Sequence, residues 1–194
     1  MHQPSLAIVI VNWNSFEFTS QCLHSLSVIS YKNIEVVVVD NASTDNSGED
    51  LKEKHSEITL LTNVENLGFT GGNNRGIQYA LDKSKDYVML LNNDTVVTEG
   101  FIEPLINSIH TDAHVGAIQP KILYNKARDL LWNAGGTFNK YFSQPKTIGE
   151  GQTDRGQYDK ARETEWITGC CFLIKSEVVR KIGLLDDKFF IYFE

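Results

Sequence analysis

Tyr87-Val88-Met89-Leu90-Leu91-Asn92-Asn93-Asp94-Thr95 decides how the rest of the chain is read. Five apolar residues make a buried strand, and three polar side chains follow at once, the last a carboxylate. In an open α/β sheet, ligands sit beyond the carboxyl ends of the strands. Asp94 is therefore expected at such an edge, where a hard cation and a phosphate can be held together. Mg2+ and Mn2+ prefer carboxylate oxygen, and in phosphate sites they often take only one or two protein carboxylates. Asn, Asn and Asp are also ordinary turn residues. The choice between these readings rests on the surrounding sequence.

Upstream, the chain alternates between buried strands and helices. Residues 6–11 form a continuous apolar, β-branched run, as in a central parallel strand. It stops at Asn12-Trp13-Asn14-Ser15, a polar turn and helix start, and Phe18, Cys22, Leu23 and Leu26 then recur at helical spacing. Residues 34–39 are a second buried strand, ending in Asp40-Asn41-Ala42-Ser43-Thr44-Asp45-Asn46-Ser47 and followed by a charged helix to about residue 55. Residues 58–61 are a third strand. Residues 66–76 read as a glycine-rich loop that runs into a helix through Leu81. Downstream of Asp94, residues 101–109 are helical and 115–118 a strand. This alternation predicts an α/β fold with a doubly wound, mostly parallel central sheet and right-handed crossovers.

After Pro120 the pattern changes. Residues 122–138, with Trp132 and Gly135-Gly136, predict a small β-hairpin region. Residues 143–164 are polar and glycine-bearing, which suggests a mobile loop or lid. Residues 166–174 read as a strand, and Ser176 is placed to cap a short helix. The run from Phe189 to Glu194 is apolar and aromatic and closes on a carboxylate, so it is expected to pack against the sheet and the chain to be cut at this point. A single domain over 1–194 is expected: 1–120 the nucleotide-binding half, 121–194 the start of an incomplete acceptor-binding half.

Composition narrows the function. The 194 residues are enough for one domain with a real core, and 41% hydrophobic with 22% charged residues is ordinary for a soluble globular protein. A net charge of −7 argues against nucleic acid as the partner. An anionic nucleotide would need a metal or backbone amides to hold it. Cys22 stands alone and Cys170-Cys171 are adjacent, which gives neither a disulfide framework nor metal spacing. Reduced thiols of a cytoplasmic protein are expected. Met1-His2-Gln3-Pro4 lacks a positive region, and the apolar run after it is too short for a signal or a span.

Asp40 follows four valines, and at a strand end its carboxylate can accept from the N–H of a base or from a ribose hydroxyl. Its other role would be an Asx turn, but Ser43, Asp45 and Ser47 already offer caps. The glycine cluster fits neither the Walker spacing nor the dinucleotide fingerprint. Gly71 allows close backbone approach, and Asn73, Asn74 and Arg75 can reach base, ribose or phosphate, unless the glycines merely form a tight bend. Burial of Glu194 after the aromatic run would raise its pKa and suit it as a base. Cys170 and Cys171 are expected on opposite strand faces, and the five histidines show no ligand spacing.

Five motifs taken in order resemble one family: Val9-Ile10-Val11-Asn12-Trp13-Asn14, Val38-Val39-Asp40-Asn41-Ala42-Ser43-Thr44-Asp45, Asn66-Leu67-Gly68-Phe69-Thr70-Gly71-Gly72-Asn73, Leu91-Asn92-Asn93-Asp94 and Thr168-Gly169-Cys170-Cys171-Phe172-Leu173-Ile174. They are similar to the family-2 inverting glycosyltransferases of the GT-A fold, particularly the bacterial rhamnosyltransferase-like branch. The resemblance implies a UDP- or dTDP-sugar donor, Mg2+ or Mn2+, and a saccharide or lipid-linked saccharide acceptor. It implies work in cell-surface polysaccharide synthesis, in the cytoplasm and peripheral to the inner membrane. It implies that Asp40 reads the base, that Asn92 lies near the ribose and that Asp94 is the metal ligand. The nucleotide-binding candidates are then Asn12, Asn14, Asp40, Asn41, Gly71, Asn73, Asn92 and Asn93. The chain departs from the family's Asp-x-Asp motif at Asn92, which leaves one metal carboxylate. Glu194 matches the Glu of the family's Glu-Asp catalytic pair, and the sequence stops before the Asp.

The expected reaction is attack of an acceptor hydroxyl on the anomeric carbon, opposite the leaving nucleoside diphosphate, with a carboxylate near the chain's end taking the proton. Two rivals are a sugar nucleotidyltransferase and a domain that binds nucleotide-sugar without turnover. The first is disfavoured because residues 12–15 carry no Lys or Arg.

Overall fold

The computed structural model describes residues 3–190. Strands β1 (Leu6–Asn12), β2 (Ile34–Asp40), β3 (Thr59–Thr62) and β4 (Tyr87–Leu91) alternate with helices α1 (Phe16–Leu26), α2 (Ser47–Lys54), α3 (Gly68–Asp82) and α4 (Ile102–Thr111). Then come β5 (Ala117–Ile118), β6 (Ile122–Tyr124), β7 (Ala127–Asn133), β8 (Gly136–Asn139), β9 (Gln144–Thr147), β10 (Cys171–Lys175) and α5 (Ser176–Ile182). Six strands form the central sheet in the order β3-β2-β1-β4-β10-β5. Strands β1 to β4 pair in parallel, while β10 runs antiparallel between β4 and β5. The expected α/β class with a mostly parallel sheet is what the molecule has.

The strands are apolar on both faces because both faces are covered. Leu6, Ile8 and Ile10 pack with Leu23 and Leu26 of α1, Leu51 of α2, and Ile102 and Ile109 of α4. Ala7 and Val9 pack on the other side with Ile77 and Ala80 of α3 and Val179 of α5. Each fully buried Leu, Ile or Val contributes about 1.5–3 kcal/mol. The crossovers leave the carboxyl ends of β1, β2 and β4 along one edge.

Several elements differ from the sequence reading. Residues 68–76 are not a loop: α3 begins at Gly68. Gly72 and Gly76 lie where α3 crosses β1. A Cβ at Gly72 would sit 2.8 Å from Val11 Cγ1, and one at Gly76 would overlap Val9 Cγ1. Glycine costs a helix roughly 1 kcal/mol against alanine, and close helix–strand contact offsets that cost. The 166–174 strand begins only at Cys171. Trp166 instead makes a single bridge to Gly136, whose missing side chain leaves room for the indole. Cys170 therefore lies in a turn, not in the strand, and only the expected burial of Cys171 holds fully.

The hairpin region consists of two antiparallel pairs, β6 with β7 and β8 with β9. Residues 143–164 are tied to it and do not form a free lid. The Leu131 N–H donates to Gln152 O, the Asp154 N–H donates to Asp129 O, and Lys121 Nζ reaches Asp154 Oδ2 at 2.6 Å. Their polarity reflects a folded but solvent-facing segment. Ser176 is the first helical residue and not the cap, which is Lys175. Phe189 and Phe190 are 42% and 58% exposed, so they do not pack into the sheet. The chain there is held by backbone to α3: the Phe69 N–H donates to Phe190 O at 2.8 Å. Ile191, Tyr192, Phe193 and Glu194 lie outside the described residues.

Candidate functional site

The edge that β1, β2 and β4 present carries a polar network. Asn12 and Asp40 are register partners at the ends of β1 and β2. Both are buried, at 0% and 3% exposure. Asn12 Nδ2 donates to Asp40 Oδ1 at 2.9 Å and faces Ser47 Oγ at 2.8 Å and Ser43 Oγ at 3.2 Å. The Ser43 hydroxyl donates to Asp40 Oδ1 at 2.6 Å, and its N–H donates to Asp40 Oδ2 at 3.1 Å. Asp40 therefore does close the turn after β2, contrary to the expectation that the neighbouring Ser and Asp residues would leave it free. Ser43 works through Asp40, Ser47 is turned toward Asn12, and Asp45 accepts from the Ser47 N–H. A carboxylate offers about four lone-pair sites. The remaining one is on Oδ2.

Asn14 extends the network outward. With φ of 48° it takes a left-handed conformation that Asn tolerates better than most residues. Its N–H donates to Ser43 Oγ at 2.9 Å, and its Oδ1 accepts the Thr44 N–H at 2.8 Å. The loops after β1 and β2 are thus locked to each other.

The turn after β4 is pinned from two sides. The Asn92 N–H donates to Cys170 O at 2.8 Å, and Asn92 O accepts from the Thr95 hydroxyl at 2.7 Å. Asn93 Nδ2 donates to Thr19 Oγ1 at 2.9 Å. Asp94 stands at the exposed tip of this turn. Among the described residues its carboxylate has no hydrogen-bond or ion-pair partner, and no three His, Cys, Asp or Glu side chains cluster to hold a metal. The arrangement is one exposed carboxylate on a turn tied at several points by hydrogen bonds.

Other candidates have different work. Asn41 is 2% exposed and fully engaged. It donates to Asn66 Oδ1 and Gly68 O and accepts from Asn63 Nδ2 and the Leu67 N–H, which shapes the entry to α3. Asn73 Nδ2 caps Phe69 O at 2.9 Å inside α3. Gly71 gives way to the side chain of Leu67. Asn74 exchanges two hydrogen bonds with the backbone of Leu185, so its side chain fastens the downstream segment to α3. Site geometry thus brings together Asn12, Asn14, Asp40, Asn92, Asn93 and Asp94, and leaves Asn41, Gly71 and Asn73 as the supports of the neighbouring helix.

Sequence reasoning missed Thr19, Ser43 and Cys22 as members of this edge. Thr19 was hidden because a threonine in an amphipathic helix looks like filler. Cys22 Sγ lies 3.8 Å from Asn92 O and 3.7 Å from Thr95 Oγ1, beneath the turn. Burial pushes the Cys22 thiol up to about 11 and the Cys170 thiol up to about 12, with the nearby Asp94 carboxylate adding to both. Neither is a nucleophile at neutral pH.

Comparison with known proteins gives the family and the fold. The family described as Glycosyl transferase family 2 matches residues 7–183. A low-salt glycan biosynthesis hexosyltransferase of Haloferax volcanii is 30% identical over 192 residues, 97% of this chain and 58% of that protein. An N-acetylglucosaminyl-diphospho-decaprenol L-rhamnosyltransferase of Mycobacterium tuberculosis is 24% identical over 207 residues, 97% of this chain and 67% of that protein. This chain thus spans about three-fifths to two-thirds of those relatives. The fold is shared with a mannosyltransferase of Pyrobaculum calidifontis solved with GDP-Man and Mn2+, at a TM-score of 0.64 and 17% identity over 96% of this chain and 49% of that one. It is shared also with GalNAc-T7, solved with UDP, GalNAc and Mn2+, at a TM-score of 0.70 and 18% identity over 94% of this chain and 37% of that one. The GT-A-like fold expected from the sequence is therefore present.

Proposed function

We propose an activity from one premise: this chain belongs to glycosyl transferase family 2. It binds a nucleotide-diphosphate sugar, UDP- or dTDP-linked, and transfers the sugar with inversion to a hydroxyl of a saccharide or lipid-linked saccharide. Membership in the family sets the nucleotidyltransferase reading aside. One observation carries the proposal: a buried carboxylate, Asp40, and an open one, Asp94, lie at the same sheet edge two strands apart. Two strand spacings are about 10 Å, a distance suited to a ligand with a base at one end and a diphosphate at the other.

The free site on Asp40 Oδ2 accepts the imino N–H of uracil or thymine. Asn12 and Ser43 hold that carboxylate in place, Asn14 in turn bonds to Ser43, and the donor's ribose lies over the turn at Asn92 and Asn93. Asp94 is the protein ligand for Mg2+ or Mn2+. The fit rests on its chemistry: a lone exposed carboxylate suits a cation whose other ligands are diphosphate oxygens and water. When bound, the cation neutralises charge developing on the leaving diphosphate. The acceptor hydroxyl attacks the anomeric carbon from the opposite face and gives its proton to a carboxylate. Glu194 is the proposed base; upstream of it, Asn74 and Phe69 fasten Leu185 and Phe190 to α3. Residues 1–120 are the nucleotide half in this reading, and 121–194 begin the acceptor half.

The names of the haloarchaeal relative, a glycan biosynthesis hexosyltransferase, and of the mycobacterial one, a rhamnosyltransferase of a diphospho-decaprenol-linked sugar, support a glycan or lipid-linked saccharide acceptor, which we place in the cytoplasm beside the inner membrane. Among the described residues, no helix is long and apolar enough to cross a membrane. The test is calorimetric titration of UDP, dTDP and GDP with Mn2+ and with EDTA. UDP or dTDP should bind more tightly with Mn2+, and Asp94→Ala should abolish that gain with the fold intact. An Asp94→Ala protein that keeps the metal dependence refutes the assignment.

A further inference from the structure

We propose that Thr19 is a positioning residue that fixes the base-reading and metal-holding ends of the site relative to each other. The inference rests on the reading of that site given above. A continuous chain of side-chain hydrogen bonds crosses the edge. Asn93 Nδ2 donates to Thr19 Oγ1 at 2.9 Å. Thr19 Oγ1 donates to Asn12 Oδ1 at 2.7 Å. Asn12 Nδ2 donates to Asp40 Oδ1 at 2.9 Å. Four residues from β2, β1, α1 and the turn after β4 are joined this way.

Thr19 holds the centre of the chain. It is 0% exposed, so water does not substitute for it. A hydroxyl has one proton and accepts at its lone pairs. Here the proton goes to Asn12 and a lone pair receives Asn93. Because Thr19 supplies the donor for Asn12 Oδ1, the amide is fixed with its nitrogen toward Asp40, Ser43 and Ser47. Because it receives Asn93, the turn that presents Asp94 is tied to the same point. Movement of the turn is therefore felt at Asp40, and the reverse.

Thr19→Val keeps the shape, removes the hydroxyl and leaves Asn12 Oδ1 and Asn93 Nδ2 without the partner that Thr19 supplies. Thr19→Ser keeps the hydroxyl and removes a methyl group. Two ratios report the two ends: UDP affinity over GDP affinity for Asp40, and UDP affinity with Mn2+ over that with EDTA for Asp94. Thr19→Val should lower each ratio by about tenfold, the size of one lost buried hydrogen bond. Thr19→Ser should melt at a lower temperature yet keep both ratios within about twofold of wild type. Should Thr19→Val fail to fold, Asn93→Ala at the half-buried turn serves in its place, and it should lower the Mn2+ ratio. Unchanged ratios in Thr19→Val, or in Asn93→Ala where that stands in, overturn the proposal, as does an equal loss in the Val and Ser variants. A wild-type protein with no preference for UDP and no response to Mn2+ refutes the site reading itself, which is a different result.

Discussion

Gly76→Ala separates a packing role of the α3 glycines from a ligand-binding one. The added Cβ would overlap Val9 Cγ1, and Val9 is 0% exposed in the middle of β1. Valine is stiff at χ1, and Val9 is packed with Ala7, Val37, Val88 and Ile77, so it has no empty space to turn into. The helix must lift from the sheet instead. Overpacking of this kind costs about 1–3 kcal/mol, and helix propensity returns about 1 kcal/mol of it. Because the overlap is severe, we take the upper part of the range and expect a net loss of about 2 kcal/mol. Gly72→Ala should cost less, because Val11, its neighbour at 2.8 Å, is only half-buried. Urea unfolding followed by circular dichroism gives the midpoints, and UDP titration of the same proteins gives affinity. The expected order of stability is wild type, Gly72→Ala, Gly76→Ala, with UDP affinity little changed. Unchanged midpoints together with weakened UDP binding would refute the packing argument and return these glycines to the ligand.

Two further expectations follow from titrating groups. Burial acts to raise the pKa of Glu35, but hydrogen bonds from Lys85, Tyr79 and Thr59 outweigh it and bring the carboxyl down from 4.5 to about 2. A lowered folded value means its stabilisation is complete above pH 4.5 and is lost as pH falls toward about 2. Melting temperatures over that window should fall more steeply for wild type than for Glu35→Gln, and parallel curves would refute it. The buried Cys22 thiol and the half-buried Cys170 thiol, pushed up to about 11 and about 12, should resist iodoacetamide at pH 8 until the protein unfolds. Rapid native-state alkylation, read by mass spectrometry, would count against that.

The sheet was legible because its strands are buried on both faces and therefore read as unbroken apolar runs, as in residues 6–11 and 87–91. The carboxyl-edge position of Asp40 and Asp94 followed from the same rule. What was not legible depended on packing between distant segments. Glycines at 68–76 look like a loop until Val9 and Val11 are seen beneath them. Residues 143–164 look unanchored because Lys121 and the backbone of β7, which hold them, are distant in sequence. Trp166 reads as a strand residue, yet it bridges to Gly136 and only the turn after it leads into β10. Asn41 looks like a ligand residue because its amide can serve a base as well as it serves the Asn66 side chain and the backbone of Leu67 and Gly68. Nothing local distinguishes the two uses.

The division of labour along the edge follows from where each carboxylate sits. Asp40 is enclosed, with most of its acceptor sites occupied by Asn12 and Ser43. In the proposed role such a group selects by direction, because the one acceptor site without a hydrogen bond is on Oδ2. Asp94 is exposed and unpartnered among the described residues. A group so placed selects by charge and gains little from water alone, since an exposed ion pair is worth at most about 1 kcal/mol. With Asn at positions 92 and 93 there is no second carboxylate beside it. The protein by itself is a weak cation site in this reading, and the diphosphate must supply the remaining charge. The rigid turn matters for that reason. Cys170 O, Thr19 and Thr95 fix the backbone on which Asp94 stands, and Ser25 Oγ accepts the Val97 N–H at 3.1 Å just beyond it. A ligand group held in advance spends little of the binding energy on ordering itself. Under the proposed function, cation and nucleotide bind as one unit, with base selectivity assigned to the Asp40 end and diphosphate affinity to the Asp94 end.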